Sequence, residues 1–254
     1  MLEQLISTQL FAIVLVFCRI GAALMVLPGY SDMYVSARLR LLLAIAISYA
    51  LTPLLQPQLP PQPVAASALV ILIGSELLIG AFIGLLAKLG MASLELAGTI
   101  ISFAGGLSNA TVYNPSLATQ ETLPGSMIGL VAVALIFVTN MHYFMLEAVV
   151  GSYNVFVPGH LPPISDFSDA LARMTVSSFA VGTEMASPFI VTGVLLNLSL
   201  ALIGRVAPSL QIQNLAPAAQ VVFGLLMLVF IFPAMMSFWM GSFESLLHGL
   251  LTPG

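Results

Sequence analysis

The residues that could do chemistry in this chain are few, and they stand in apolar surroundings. Arg19, Glu76, Glu95 and Glu184 each interrupt a long apolar run. An ionisable side chain at that depth is costly, faces protein or water, and has a partner. Carboxylates so placed can relay protons or ions, or bond one helix to another. Here there is one per block and no paired acid site, which favours helix-to-helix bonding. Two readings stand for Arg19: a contact to another subunit or a polar conduit, and an intrachain ion pair with Glu76 as partner. His142, His160 and His248 are scattered and lack the H-E-x-x-H spacing of a zinc hydrolase. No Gly-rich phosphate loop with Lys and no G-x-S-x-G elbow occurs. Cys18 is the single cysteine, which rules out an intrachain disulfide and a Cys-based metal cluster. No cofactor, no metal and no enzymatic activity is expected. There is no basic run of the kind that binds nucleic acid.

The elements that must position these residues are helices in a membrane. Of 254 residues 59% are hydrophobic and 6% charged, with mean hydropathy +1.09. A soluble domain carries about 25% charged residues. So few charges cannot cover a water-soluble protein of this size, and the solvent must be mostly lipid or other protein. The apolar runs approach the ~20 residues of a spanning helix. They are continuous rather than alternating, which argues against a β-barrel. The expected class is an all-α polytopic membrane protein with six to seven long, partly broken helices arranged as hairpins.

Taken in order, the apolar blocks are 5–27, 41–55, 64–87, 91–107, 126–146, 175–203 and 218–251. The first lacks the positive start of a cleaved signal peptide and is read as a retained helix. Arg38 and Arg40 precede the second block and mark the cytoplasmic side, with the N-terminus outside. Charge bias does not decide whether 91–107 crosses independently, because Arg173 and Arg205 exchange sides between the two counts. The proline-rich stretch 52–63 reads as an extended loop, 151–172 as an acidic loop with a short amphipathic start, and 209–217 as a polar turn. Pro188 should kink its helix. His142 reads as an interfacial hydrogen-bonder. Gly80 and Gly84 lie four apart, as do Gly98, Ser102 and Gly106, and Ser178, Gly182 and Ala186. Small residues at that spacing make smooth faces on which a second helix, from this chain or another subunit, can pack closely.

Between the halves, 1–107 and 126–254, stands GGLSNATVYNPSLATQETLPG, residues 105–125, with Glu121 as its one charge. Connections this long are usually functional or disordered, and disorder goes with high charge and few aromatics. Two readings are open: an ordered loop that lines or blocks something inside a membrane assembly, and a simple extramembrane connector.

Read together, these residues resemble the FliR family of flagellar export proteins, with its injectisome counterpart SctT as a near alternative. The resemblance runs from Arg19-Ile20-Gly21 to Leu27-Pro28-Gly29, through 38–53, Gly80 to Gly84, and Gly98 to Tyr113-Asn114-Pro115. It resumes at His142, Ser152-Tyr153, Pro158-Gly159, Ser187-Pro188, Asn197-Leu198 and 204–212. The resemblance implies a non-enzymatic subunit of the type III export gate, resembling a fusion of FliP and FliQ. It implies partners of the FliP and FliQ types, neighbouring FlhB and FlhA, and unfolded proteins as cargo. It places the chain in the bacterial inner membrane at the flagellar basal body. It also implies that the loop between the halves (108–125) plugs the channel, the plug mapping onto 106–121 with Gly106, Leu107, Ser108, Asn109, Ala110, Thr111, Val112, Tyr113, Asn114, Pro115, Ser116 and Leu117 as its residues. Uncharged polar residues with a few apolar contacts suit a seal that must also yield, and hydrophobic constrictions gate by dewetting. The rival class is a stand-alone channel or secondary transporter using the membrane glutamates. It calls for related halves, and no convincing internal repeat is visible in the sequence.

Overall fold

The computed structural model describes residues 2–106, 122–160, 164–206 and 212–251. Every regular element among them is helical. The order is α1 (Leu2–Val26), α2 (Ala37–Leu55), a short 3-10 turn (Gln56–Gln58), α3 (Ala66–Ala104), α4 (Leu123–Val138), α5 (Met141–Val155), α6 (Ile164–Val206) and α7 (Ile212–Leu251). Among the described residues five helices are long and apolar enough to cross a membrane, or up to 6 spans if the bent pair α4–α5 counts as one. The chain is an all-α polytopic membrane protein.

Several boundaries differ from the sequence reading. Residues 91–107 form no separate helix: α3 runs unbroken through Lys88, Leu89 and Gly90 to Ala104. A single Lys between apolar blocks does not interrupt the backbone ladder, whose hydrogen bonds are local. Conversely, the regular block 126–146 is not one helix. It breaks at Thr139-Asn140, where α4 and α5 meet at 75°. Asn140 sits in the left-handed region (φ 62), a conformation Asn tolerates better than most residues. The 151–172 segment is helical to Val155, as the end of α5, and again from Ile164 onward, and 209–217 enters α7 at Ile212. Helix α6 is continuous through Pro188, and Thr192 Oγ1 donates to the Pro188 carbonyl at 2.7 Å.

The helices α3, α6 and α7 have 39, 43 and 40 residues. At about 1.5 Å per residue each is roughly 60 Å long, about twice the ~30 Å hydrocarbon thickness.

The chain divides into two compact units, described separately. The first comprises Met1–Leu89, Leu135–Thr175 and Glu244–Gly254; the second comprises Gly90–Ala134 and Val176–Phe243. In the first, α1 and α2 form a hairpin whose turn is held by side chains. Asp32 Oδ2 accepts from the Gly29 N–H at 3.0 Å, and Gly29 takes a positive φ of 81. Arg40 Nη2 donates to the Asp32 and Val35 carbonyls, both at 3.3 Å, and Ser36 caps α2 through Leu39 N–H. Tyr30 meets Phe137 edge-on at 5.7 Å, and burial pushes its phenol above the usual range. In the second unit, Trp239 is fully buried, stacks on Phe243, and donates from Nε1 to the Gly90 carbonyl at 3.3 Å.

Candidate functional site

In the first unit the polar centre is Arg19. It lies in the last third of α1 and is completely buried. Its Nε donates to Glu76 Oε2 at 2.6 Å and its Nη2 to Glu76 Oε1 at 2.9 Å. The fork is therefore bidentate, the strong geometry for a guanidinium and a carboxylate. The rest of the group is also satisfied: Nη1 donates to Ser152 Oγ at 3.1 Å and Nη2 to the Phe156 carbonyl at 3.1 Å. The guanidinium carbon stands 3.9 Å from the centre of the Tyr153 ring. Thus α1, α3 and the end of α5 are joined through one cation. Of the two readings of Arg19, the intrachain pair with Glu76 is the one found. Such an arrangement joins helices and has no open face for an ion.

Gly80 and Gly84 lie on the same seam. A Cβ at Gly80 would collide with the Arg19 carbonyl oxygen and one at Gly84 would stand 2.7 Å from Val26 Cβ. Both glycines thus admit α1 of the same chain. The matching order of these contacts (Arg19 with Gly80, Ala23 with Gly84) makes α1 and α3 parallel here. At the start of α6, Phe167 stacks on Phe82 with centroids 3.8 Å apart, and Phe156 meets both edge-on.

In the second unit, glycines and small residues position the two roots of the long loop. Helix α3 ends at Ala104, and Gly105-Gly106 turn the chain out, Gly106 with φ 71. Two helices hold this exit. Gly193 of α6 faces Ala104, where a Cβ would stand 3.1 Å from its carbonyl oxygen, and Gly224 of α7 faces Gly105, at 2.9 Å from its Cα. A small cavity beside them is lined by Thr192, Gln220 and Met227 among others; Thr192 Oγ1 lies 3.1 Å from Met227 Sδ. On return, Gly125 packs so closely on Gly98 that a Cβ on Gly98 would overlap it. Gly98 is seven residues before Gly105, about 10 Å along the helix. The two described ends of this stretch therefore lie on the same helix, about 10 Å apart along it. Of the residues assigned to the plug, Gly106 is placed and buried. Leu107 to Leu117, and on to Glu121, lie outside the described residues.

The remaining expected packing residues are placed as follows. Ser102 and Ala186 are buried. Gly182 meets α3 of the same chain, where a Cβ would be 2.6 Å from the Ser93 carbonyl oxygen. Glu95 and Glu184, by contrast, are exposed on α3 and α6. His142 lies near the helix break, with Nδ1 3.4 Å from the Ile136 carbonyl. Among the described residues no group of three His, Cys, Asp or Glu could hold a metal ion. Sequence reasoning missed Tyr153 and Ser152 as partners of Arg19, and Gly193 and Gly224 at the loop root. A signal existed for Gly193, three turns beyond Gly182 on one face of α6.

Residues 10–246 match the family described as bacterial export proteins, family 1. The chain belongs to this family. Relatives include the flagellar biosynthetic protein FliR of Caulobacter vibrioides, 33% identical over 94% of this chain and 95% of that protein. The Yop proteins translocation protein T of Yersinia pestis is 29% identical over 91% of this chain and 89% of its own length. The FliR of Escherichia coli K12 is 29% identical over 76% of this chain and 74% of its own. As a family 1 export protein, the chain is a membrane component of a type III protein-export apparatus and works in association with other components of it.

Proposed function

We propose that this export protein is the subunit that completes a ring of FliP- and FliQ-type partners around the export channel. The loop 106–121 closes that channel at rest. Unfolded flagellar proteins pass through its centre, with FlhB and FlhA as neighbours, in the inner membrane at the basal body.

One observation carries the reading. Helices α3, α6 and α7 are each about twice as long as a bilayer is thick. Only 17% of the apolar window of α6 and 22% of that of α7 is buried within the chain. Lipid can cover roughly 30 Å of such a helix; the remainder would face water, at a cost of about 25 cal/mol for each Å² of apolar surface. Partner helices of similar length remove that cost. The glycine-held roots of the loop add to the reading, since they return the loop to its own helix. A transporter reading has little to work with: Glu76 is committed to Arg19, and Glu95 and Glu184 are exposed.

The test is co-expression with the neighbouring FliP- and FliQ-type subunits, followed by purification on a tag carried by this chain alone. The expected result is one stable complex containing all three. A chain that purifies alone, folded and monodisperse, with both partners absent, would contradict the proposal.

A further inference from the structure

The contacts between α3 and α6 in the second unit have a regular register. Gly182 meets Ser93, and three turns further on Gly193 meets Ala104. At both contacts the α6 residue lies the same number of positions further along the chain. The two helices therefore run parallel and level through this stretch. Applied to the residues between, the same register sets Glu184 level with Glu95. Both glutamates are followed by an apolar residue, Ala and a small residue: Glu95-Leu96-Ala97-Gly98 on α3 and Glu184-Met185-Ala186-Ser187 on α6.

In a parallel pair whose register-equivalent residues face one another, the helices are related by an approximate two-fold axis along the pair, as in a parallel coiled coil. Equivalent residues away from the seam then lie on opposite flanks. Glu95 and Glu184, each two positions beyond a seam residue (Ser93 or Gly182), are such residues. Both are exposed. All six Lys and Arg residues of the chain are among the described residues, and only Arg19 of them is in an ion pair, with Glu76. Among the described residues neither Glu95 nor Glu184 has an ion-pair partner. The nearest described cations on the same helices are Lys88, about 10 Å along α3 from Glu95, and Arg173, about 16 Å along α6 from Glu184, and neither is ion-paired with them. Ala180 and Ser187, one turn to either side of Glu184, are small and exposed, and leave room for a long side chain to reach the carboxylate. A carboxylate on an apolar helix is costly unless a cation or water meets it.

We propose that Glu95 and Glu184 are matched docking points, one on each flank of the α3–α6 pair. Each receives a Lys or Arg from an apolar helix of a neighbouring export subunit. The chain is thereby held between two neighbours at one level, by charge pairs that fix the register of otherwise featureless apolar faces. This rests on the proposed gate assembly and specifies how the chain is seated in it.

The experiment uses the complete complex. A photo-crosslinking amino acid replaces Glu95 in one variant and Glu184 in another, and the crosslinked partner peptides are mapped. In parallel, Glu95→Lys, Glu184→Lys and the two Glu→Gln variants are co-expressed with the FliP- and FliQ-type subunits. The expected crosslinks go to two different subunit copies, each within one helical turn of a Lys or Arg. Each Lys variant should lower complex yield at least about tenfold, and each Gln variant less. Reversal of the mapped partner cation to Glu should restore the yield. Lys variants that assemble at wild-type yield would overturn the proposal, as would crosslinks to lipid alone or to peptides without a nearby cation. Those results leave the gate assembly standing, whereas a wild-type chain that assembles with neither subunit removes both.

Discussion

Arg19 and Glu76 form a bidentate ion pair, at 2.6 and 2.9 Å, with both residues completely buried. The pair joins α1 to α3 where Gly80 lets the two backbones approach, so the charge pair and the glycine seam act on one contact.

Removing one partner leaves an uncompensated buried charge, which costs about 3–5 kcal/mol. Glu76→Gln should therefore strongly lower the thermal stability of the detergent-solubilised chain. The double variant Arg19→Met, Glu76→Met should recover much of the loss, because a buried pair replaced by apolar groups of similar size is often near neutral. A double-mutant cycle of melting temperatures reads this. Additive losses would mean that the two side chains do not act as a pair.

Gly80→Leu and Gly84→Leu should prevent α1 from packing on α3. Their neighbours are Arg19, Ala22, Ala23, Val26 and Leu27 of the same chain, so the defect should be seen without any partner. The measurement is the monodisperse fraction of the chain expressed alone. Gly74, with open space around its Cβ position, is the control: Gly74→Ala should be neutral or stabilising by up to about 1 kcal/mol. Leu variants that fold normally alone but fail with partners would move these glycines to a subunit interface.

Fold class was legible in the sequence because lipid solvation imposes continuous apolar runs. The apolar runs predicted helices, and Gly182 and Gly98 do meet helices. Helix boundaries were less legible. Lys88 suggests an interruption of α3, yet a charged side chain leaves the backbone hydrogen bonds intact. Asn140 sits in an apolar run whose regularity suggests one helix, yet a single residue in the left-handed region turns the chain by 75°. The partner of Arg19 could be named as Glu76 but not separated from a subunit contact, because pairing across α1, α3 and α5 is a tertiary fact with no local signature. Glu95 and Glu184 read like Glu76 in sequence, and only their exposure distinguishes them.

The break at Asn140 yields its own test. Asn140→Gly should retain stability, since Gly takes positive φ freely. Asn140→Val should cost about 1–3 kcal/mol through backbone strain. Melting temperatures of the two variants separate these outcomes, and equal values would show that the left-handed turn is not required.

At the loop root, Gly193→Leu and Gly224→Leu should force α6 and α7 away from Ala104 and Gly105. Overpacking of this kind costs about 1–3 kcal/mol. In assembled complexes both variants should raise resting ion leak, to a smaller extent than loss of the loop itself. Leak at the wild-type level from complexes containing either variant would show that the root need not be held.

The most direct measurement is resting ion flux through the assembled complex after deletion of residues 109–116, with complex yield measured in the same preparation. Normal assembly and a marked ion leak are the expected result. A deletion complex that assembles at wild-type yield and stays tight to ions would contradict it.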